Sequence, residues 1–184
     1  MLRSKLPVAV FAILILTTIL RAQPNSDTVT VTGAVEKPGD WTVARVKTDL
    51  AADVTPITYT SHGQKHTADA VPLLALLKAS GVPTQYVMNP HADPKTKNLQ
   101  LRLALLVQAT DGYAVVFSLA ELLPDFGNRK VWLAIDADGQ PLSPTDGPMR
   151  LLVPEDAKPS RAVHAVQTIT VVNLSTPPST QPTN

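Results

Sequence analysis

Residues 99–117, LQLRLALLVQATDGYAVVF, alternate apolar and polar side chains up to a two-residue turn signal. Leu99, Leu101, Leu103, Leu105 and Val107 fall on one side, and Gln100, Arg102 and Gln108 on the other. A period of two over that length is the pattern of a strand with one buried face. Asp111-Gly112 then reverses the chain, because Asp and Gly accept the backbone that a tight hairpin needs. Tyr113–Phe117 returns as the partner strand. The five apolar residues are expected to face inward from a central strand over Leu99–Ala109, which makes the fold one built on sheets.

Working outward, Thr28–Val35 (TVTVTGAV) has the same alternation, and Pro38-Gly39-Asp40 turns the chain. Trp41–Val46 reads as a short second strand. Pro56–Thr60 reads as a third, with Ile57 and Tyr59 on one face. Val131–Ala137, Arg150–Val153 and Thr168–Asn173 complete the set, with Asp138-Gly139 as a further turn. Two helices interrupt these strands. Asp69 is placed to cap Ala70–Ser80, with Pro72 in the first turn and Gly81 just past the end. Leu73, Leu74 and Leu77 of that helix are expected to pack on a sheet. Ser118 and Glu121 have capping-box spacing ahead of Leu122-Leu123, and Pro124 stops that short helix. The result is an α+β domain of mixed β-sheets with a few short helices, spanning residues 27–174.

Composition agrees with this and narrows the chemistry. The chain has 184 residues, with 17 Pro, 8 Gly and no Cys. Such a proline content disfavours a bundle of long helices. Having no Cys excludes disulfides, thiolate zinc sites, covalent c-type haem, thiol catalysis and a lipoprotein anchor. A formal net charge of +1 lacks the basic face a nucleic-acid binder uses on phosphates. At the N-terminus, Arg3 and Lys5 precede the uncharged run Pro7–Leu20, and Ala22 precedes a polar stretch. That pattern predicts a signal peptide over residues 1–22, export to a periplasmic or extracellular location, and no stable membrane insertion after cleavage. An uncleaved anchor is the other reading, since Leu20 is large for its place before the break. Residues 175–184 (STPPSTQPTN) carry neither charge nor aliphatic bulk and are expected to form a disordered tail.

Candidate site residues are few. His62 and His66 lie four apart, but Gly63 between them argues for a loop rather than a zinc-binding helix face. His91 sits in a polar loop. There is no G-x-S-x-G, G-x-G-x-x-G or Walker A motif. The most informative stretch is Gly147-Pro148-Met149-Arg150, followed by Lys158-Pro159-Ser160-Arg161. A Gly-Pro loop lets an anion approach the backbone, and Arg150, Lys158 and Arg161 have the donors to hold an oxyanion or phosphate. The alternative is a turn with exposed, solvated arginines.

Taken in order, these segments resemble the molybdopterin-binding domain of the sulfite-oxidase type. Val29–Gly39 is similar to that family's opening V-x-G-x-V-x-x-P. AVPLLALLKASGV (residues 70–82) resembles its G-V-P-L-x-x-L-L-x-x-A-G-V helix. Asp111-Gly112-Tyr113, DGQPLSPTDGPMRLLVP (residues 138–154) and SRAVHAVQTITVV (residues 160–172) follow in the family's order. The resemblance covers nearly all of residues 28–173. It implies mixed sheets around a pterin pocket, with Gly147, Arg150, Arg161 and His62 as the matching cofactor-binding positions. It also implies exported oxidoreductases acting on sulfite or oxidised methionine.

One departure bears on the reaction. Catalytic members hold molybdenum through a cysteine shortly before the helix that matches Asp69–Gly81. Here that region reads Ile57-Thr58-Tyr59-Thr60-Ser61-His62, and a hydroxyl or imidazole is no equal substitute for a soft thiolate. No catalytic residue or metal ligand is therefore assigned, and no molybdenum cofactor is expected, although molybdopterin remains open by resemblance. Two readings follow. One is an exported, noncatalytic domain of this fold that binds a small anionic ligand or a protein partner. The other is a molybdopterin-dependent oxidoreductase with a noncysteine metal environment.

Overall fold

The computed structural model describes residues 27–86, 89–93 and 97–175. The expected signal peptide and all of the tail beyond Ser175 lie outside those residues. Among the described residues, no helix is long and apolar enough to cross a membrane.

Among the described residues, nine strands form two sheets. The strands are β1 (Val29–Gly33), β2 (Gly39–Trp41), β3 (Thr55–Ser61), β4 (Gln64–Pro72), β5 (Leu103–Ala109), β6 (Ala114–Ser118), β7 (Trp132–Ala134), β8 (Arg150–Leu152) and β9 (Val166–Asn173). Three helices join them: α1 (Val43–Asp49), α2 (Leu73–Ala79) and α3 (Leu119–Leu122). The first sheet has the order β2-β1-β9-β5-β6, and the second has the order β3-β4-β7-β8. The β1–β9 pair is parallel and the other pairs are antiparallel, so the α+β class with mixed sheets is as expected.

Alternation fixes which face of the first sheet is buried. Val29 and Val31 of β1, Leu103, Leu105 and Val107 of β5, and Ile169 and Val171 of β9 all point into one core. Leu73, Leu76 and Leu77 of α2 and Leu119 and Leu122 of α3 join it. A smaller cluster on the second sheet gathers Tyr59, Ala68, Ala70, Ala134 and Leu152. The expected hairpin joins β5 to β6, with Asp111 Oδ1 accepting from the Tyr113 N–H at 2.9 Å. The Ser118–Glu121 capping box is present as well. Gly81 takes φ +80°, and its N–H donates to the Lys78 carbonyl while that of Val82 donates to the Leu77 carbonyl. Those two bonds close α2 with a Schellman motif, which needs the left-handed backbone at that glycine.

Four expectations are corrected. Trp41–Val46 is not a strand: β2 ends at Trp41, and Thr42 caps α1 by accepting from the Arg45 N–H at 3.0 Å. A threonine ahead of Val-Ala-Arg-Val starts a helix more readily than it continues three residues of strand. Residues 64–72 are a strand, so Asp69 caps nothing. Its N–H donates to Asp136 Oδ1 at 2.8 Å, and α2 starts at Leu73 instead. Leu76, not among the residues expected to pack, is fully buried with Leu73 and Leu77, while half-buried Leu74 packs against the same core. The central strand begins at Leu103, because Asn98 in a left-handed conformation (φ 55°) starts a 3-10 turn over Leu99–Arg102. That turn breaks the alternation, leaving Leu101 38% exposed and burying Gln100.

Candidate functional site

The β3–β4 hairpin turns through His62 (φ 49°) and Gly63 (φ 79°), between the paired residues Ser61 and Gln64. Two successive left-handed residues make the tight turn whose twist matches its strands, and glycine takes the second position without strain. The turn forms one end of a cavity of about 640 Å³. Thr58, Tyr59, Thr60 and Ser61 of β3 line one wall. The opposite wall comes from Arg150 and Leu152 of β8 and the chain beyond it, including Asp156 and His164.

Arg150 is the fixed cation of this cavity. Its side chain is 9% exposed, and its Nε is buried with no hydrogen-bond partner. Nη2 reaches Ser61 Oγ at 3.5 Å, and Nη1 lies 3.6 Å from Asp146 Oδ1. Both contacts are long for hydrogen bonds. Asp146 Oδ1 also takes the Nδ1 of His164. The Arg150 guanidinium lies 5.3 Å from the centre of the Tyr59 ring. Burial raises the Tyr59 phenol above its ordinary pKa, and the nearby Arg150 charge only partly opposes this. Tyr59 therefore stays protonated at neutral pH. Its ring stacks on His66 at 5.5 Å, and His66 Nδ1 bonds Asp138 Oδ2 at 2.8 Å. That bond, with the Thr67 N–H, holds the Asp138 carboxyl below the usual carboxylate range.

The residues singled out in the sequence divide into two groups. His62 and Arg150 meet at this cavity. Arg161 does not line it. Its Nε and Nη2 each donate to Asp156 at 2.7 Å, and Nη1 donates to Glu121 Oε2 at 3.2 Å. Arg129 bonds the same Asp156 at 2.9 Å. The Arg161 bonds are the main reason the Asp156 carboxyl sits below its ordinary pKa, with Arg129 adding to the effect. The expected convergence of Arg150, Lys158 and Arg161 is thus replaced by a carboxylate clamp on Arg161, with Lys158 exposed. Gly147 is buried behind the wall, joined to Pro148 by a cis peptide. His66 belongs to the Asp138 pair rather than to a metal site with His62. Exposed His91 donates its N–H to Asn89 Oδ1 in a local turn. Among the described residues, no group of three His, Cys, Asp or Glu side chains is placed to hold a metal ion. Tyr59, Ser61, Asp146 and His164 were not marked by spacing. Only the alternation of β3 hinted that Tyr59 and Ser61 share a face.

The cavity can therefore hold an anion against one buried guanidinium, with hydroxyls and imidazoles around it. The family model described as "Oxidoreductase molybdopterin binding domain" matches residues 17–179. No curated protein matches the chain in sequence. Among solved structures, the chain is similar to the sulfane dehydrogenase SoxCD from Paracoccus pantotrophus, with a TM-score of 0.52 and 18% identity. That match covers 78% of this chain and 37% of the other, and what it shows is the fold.

Proposed function

The chain belongs to the oxidoreductase molybdopterin binding domain family, and on that premise we propose that it is an exported, noncatalytic member whose cavity binds a small anionic ligand at Arg150. The observation that carries this reading is the Arg150 guanidinium, buried in the cavity wall with an unpartnered Nε and only long contacts elsewhere. A buried cation in that state gains more from an anion than an exposed one does.

The group that the family implies has an anionic organic portion and a molybdenum atom. Arg150, with the imidazoles of His62 and His164 on the cavity wall, suits the anionic portion by charge and donors. The metal portion is not suited. The stretch where catalytic relatives place a thiolate supplies Thr58, Tyr59, Thr60, Ser61 and His62, and no Cys occurs anywhere in the chain. Soft anionic charge at the metal thus has no source among these side chains, and no redox step is derived. Export rests on Arg3, Lys5, the run Pro7–Leu20 and the break at Ala22.

Titration with inorganic sulfate and phosphate, read by amide chemical shifts, tests the ligand reading. Shifts centred on Ser61, His62 and Arg150 that vanish in Arg150→Ala are expected. Equal shifts in wild type and Arg150→Ala would contradict it. Sulfite or sulfoxide turnover by the purified chain would establish the oxidoreductase reading instead.

A further inference from the structure

β4 carries the hairpin turn at one end and Pro72 at the other, eight residue steps away. At about 3.3 Å per step, the two ends are roughly 26 Å apart. A second hollow of about 640 Å³ opens at the Pro72 end. Its apolar lining comes from Leu50, Pro72, Leu74, Ala75, Ala79 and Pro124. A side hollow of about 140 Å³ shares Pro72, Leu74 and Pro124 and extends toward Trp132.

The charge around this hollow is one-sided. Lys37, Lys78 and Lys130 line it, against the single carboxylate Asp53. By contrast, Arg45, Arg129 and Arg161 are each held by a carboxylate at 2.7–3.1 Å. Among the described residues, no ion pair involves Lys37, Lys78 or Lys130. The Lys130 ammonium instead donates to Asn128 Oδ1 at 2.8 Å. Exposed lysines hold their charge in water on flexible stems, so they can close over a ligand's anionic end. An apolar lining with three lysines against one carboxylate complements a molecule with an apolar body and one negative head. The volume lies within the roughly 300–1,000 Å³ typical of small-ligand pockets.

We propose that this hollow binds an amphipathic organic anion, an acyl chain ending in a carboxylate. The chain lies along Leu74, Ala75 and Pro72, and the carboxylate is held by Lys78 with Lys37 or Lys130. This site is independent of the Arg150 cavity and of whatever that cavity binds.

Calorimetric titration of the full chain tests the proposal, using dodecanoate and dodecyltrimethylammonium as probes below their critical micelle concentrations. Dodecanoate is expected to bind at one per chain, and the cationic amphiphile of the same chain length is not. Two variants probe the site separately. Lys37→Glu/Lys78→Glu/Lys130→Glu changes only exposed side chains, and Ala75→Trp fills the hollow. Each should weaken dodecanoate binding by at least about tenfold. Lys47→Glu/Lys65→Glu, away from the hollow, should leave it unchanged. Equal binding of the two amphiphiles, no dodecanoate binding, or binding indifferent to both variants would overturn the proposal.

Discussion

Arg150 and Arg161 carry the same side chain in opposite situations. Arg161 is held by Asp156 and Glu121, with its guanidinium 4.6 Å from the centre of the Phe117 ring. Arg150 faces a cavity with an unpartnered Nε. Asp156→Ala removes the carboxylate shared by Arg161 and Arg129, and is expected to destabilise the fold by about 1–3 kcal/mol. Urea unfolding at neutral pH measures that loss. The same carboxylate sets an acid dependence. Its folded pKa lies below the unfolded value, because Arg161 and Arg129 favour the charged form. It therefore contributes its stability above the ordinary Asp pKa near ~3.9, and that stability is lost as pH falls through the lower folded value. Between about pH 5 and pH 3, the urea midpoint should fall more steeply in wild type than in Asp156→Asn. A parallel fall in both proteins would place the acid sensitivity elsewhere. The two arginines looked alike in the sequence because spacing carries no record of Glu121. That residue is 40 positions from Arg161 and is brought to it only by the fold.

Among the elements, β5 starts later than its periodicity implies. The alternation predicts a strand from Leu99, yet Asn98 and the 3-10 turn after it delay the strand to Leu103. Leu103→Ala should cost about 2–5 kcal/mol, as a large-to-small change in a packed core does. Leu101→Ala should cost no more than about 1 kcal/mol, since Leu101 is 38% exposed and stands outside the main core. Equal losses at the two positions would restore the longer strand. The β5–β6 hairpin, the Ser118 capping box and the Gly81 stop were legible because each is a local signal with its own backbone requirement. The β3–β4 hairpin was not: Gly63 signals only a loop, and the helix-like run after Asp69 masks β4. What makes residues 64–72 a strand is nonlocal. β4 is paired with β3 on one side and with β7 on the other, whose partner residues lie 60 to 64 positions away in sequence. The site followed the same rule. His62 and Arg150 could be named from the sequence, whereas Asp146 and His164 gain their place only when β8 joins the sheet through β7.

For the whole molecule, two sheets and one main core carry a cavity at the tip of one hairpin and a second, lysine-ringed hollow at the far end of the same strand. The proposed export is tested on the whole chain. Protein from the native host is expected to begin at Gln23 by intact-mass measurement, and a membrane-bound form retaining Met1–Ala22 would contradict that. The central claim is that this chain keeps the family's fold, binds an anion at Arg150 and, with no Cys to offer a metal, holds no molybdenum. The most direct test is the molybdenum and pterin content of the purified chain, by elemental analysis and fluorescence, from a host that makes the cofactor abundantly. The account predicts no stoichiometric molybdenum, and any pterin that is retained should be weakened by Arg150→Ala. Molybdenum near one equivalent, lost when His62 is substituted, would contradict it.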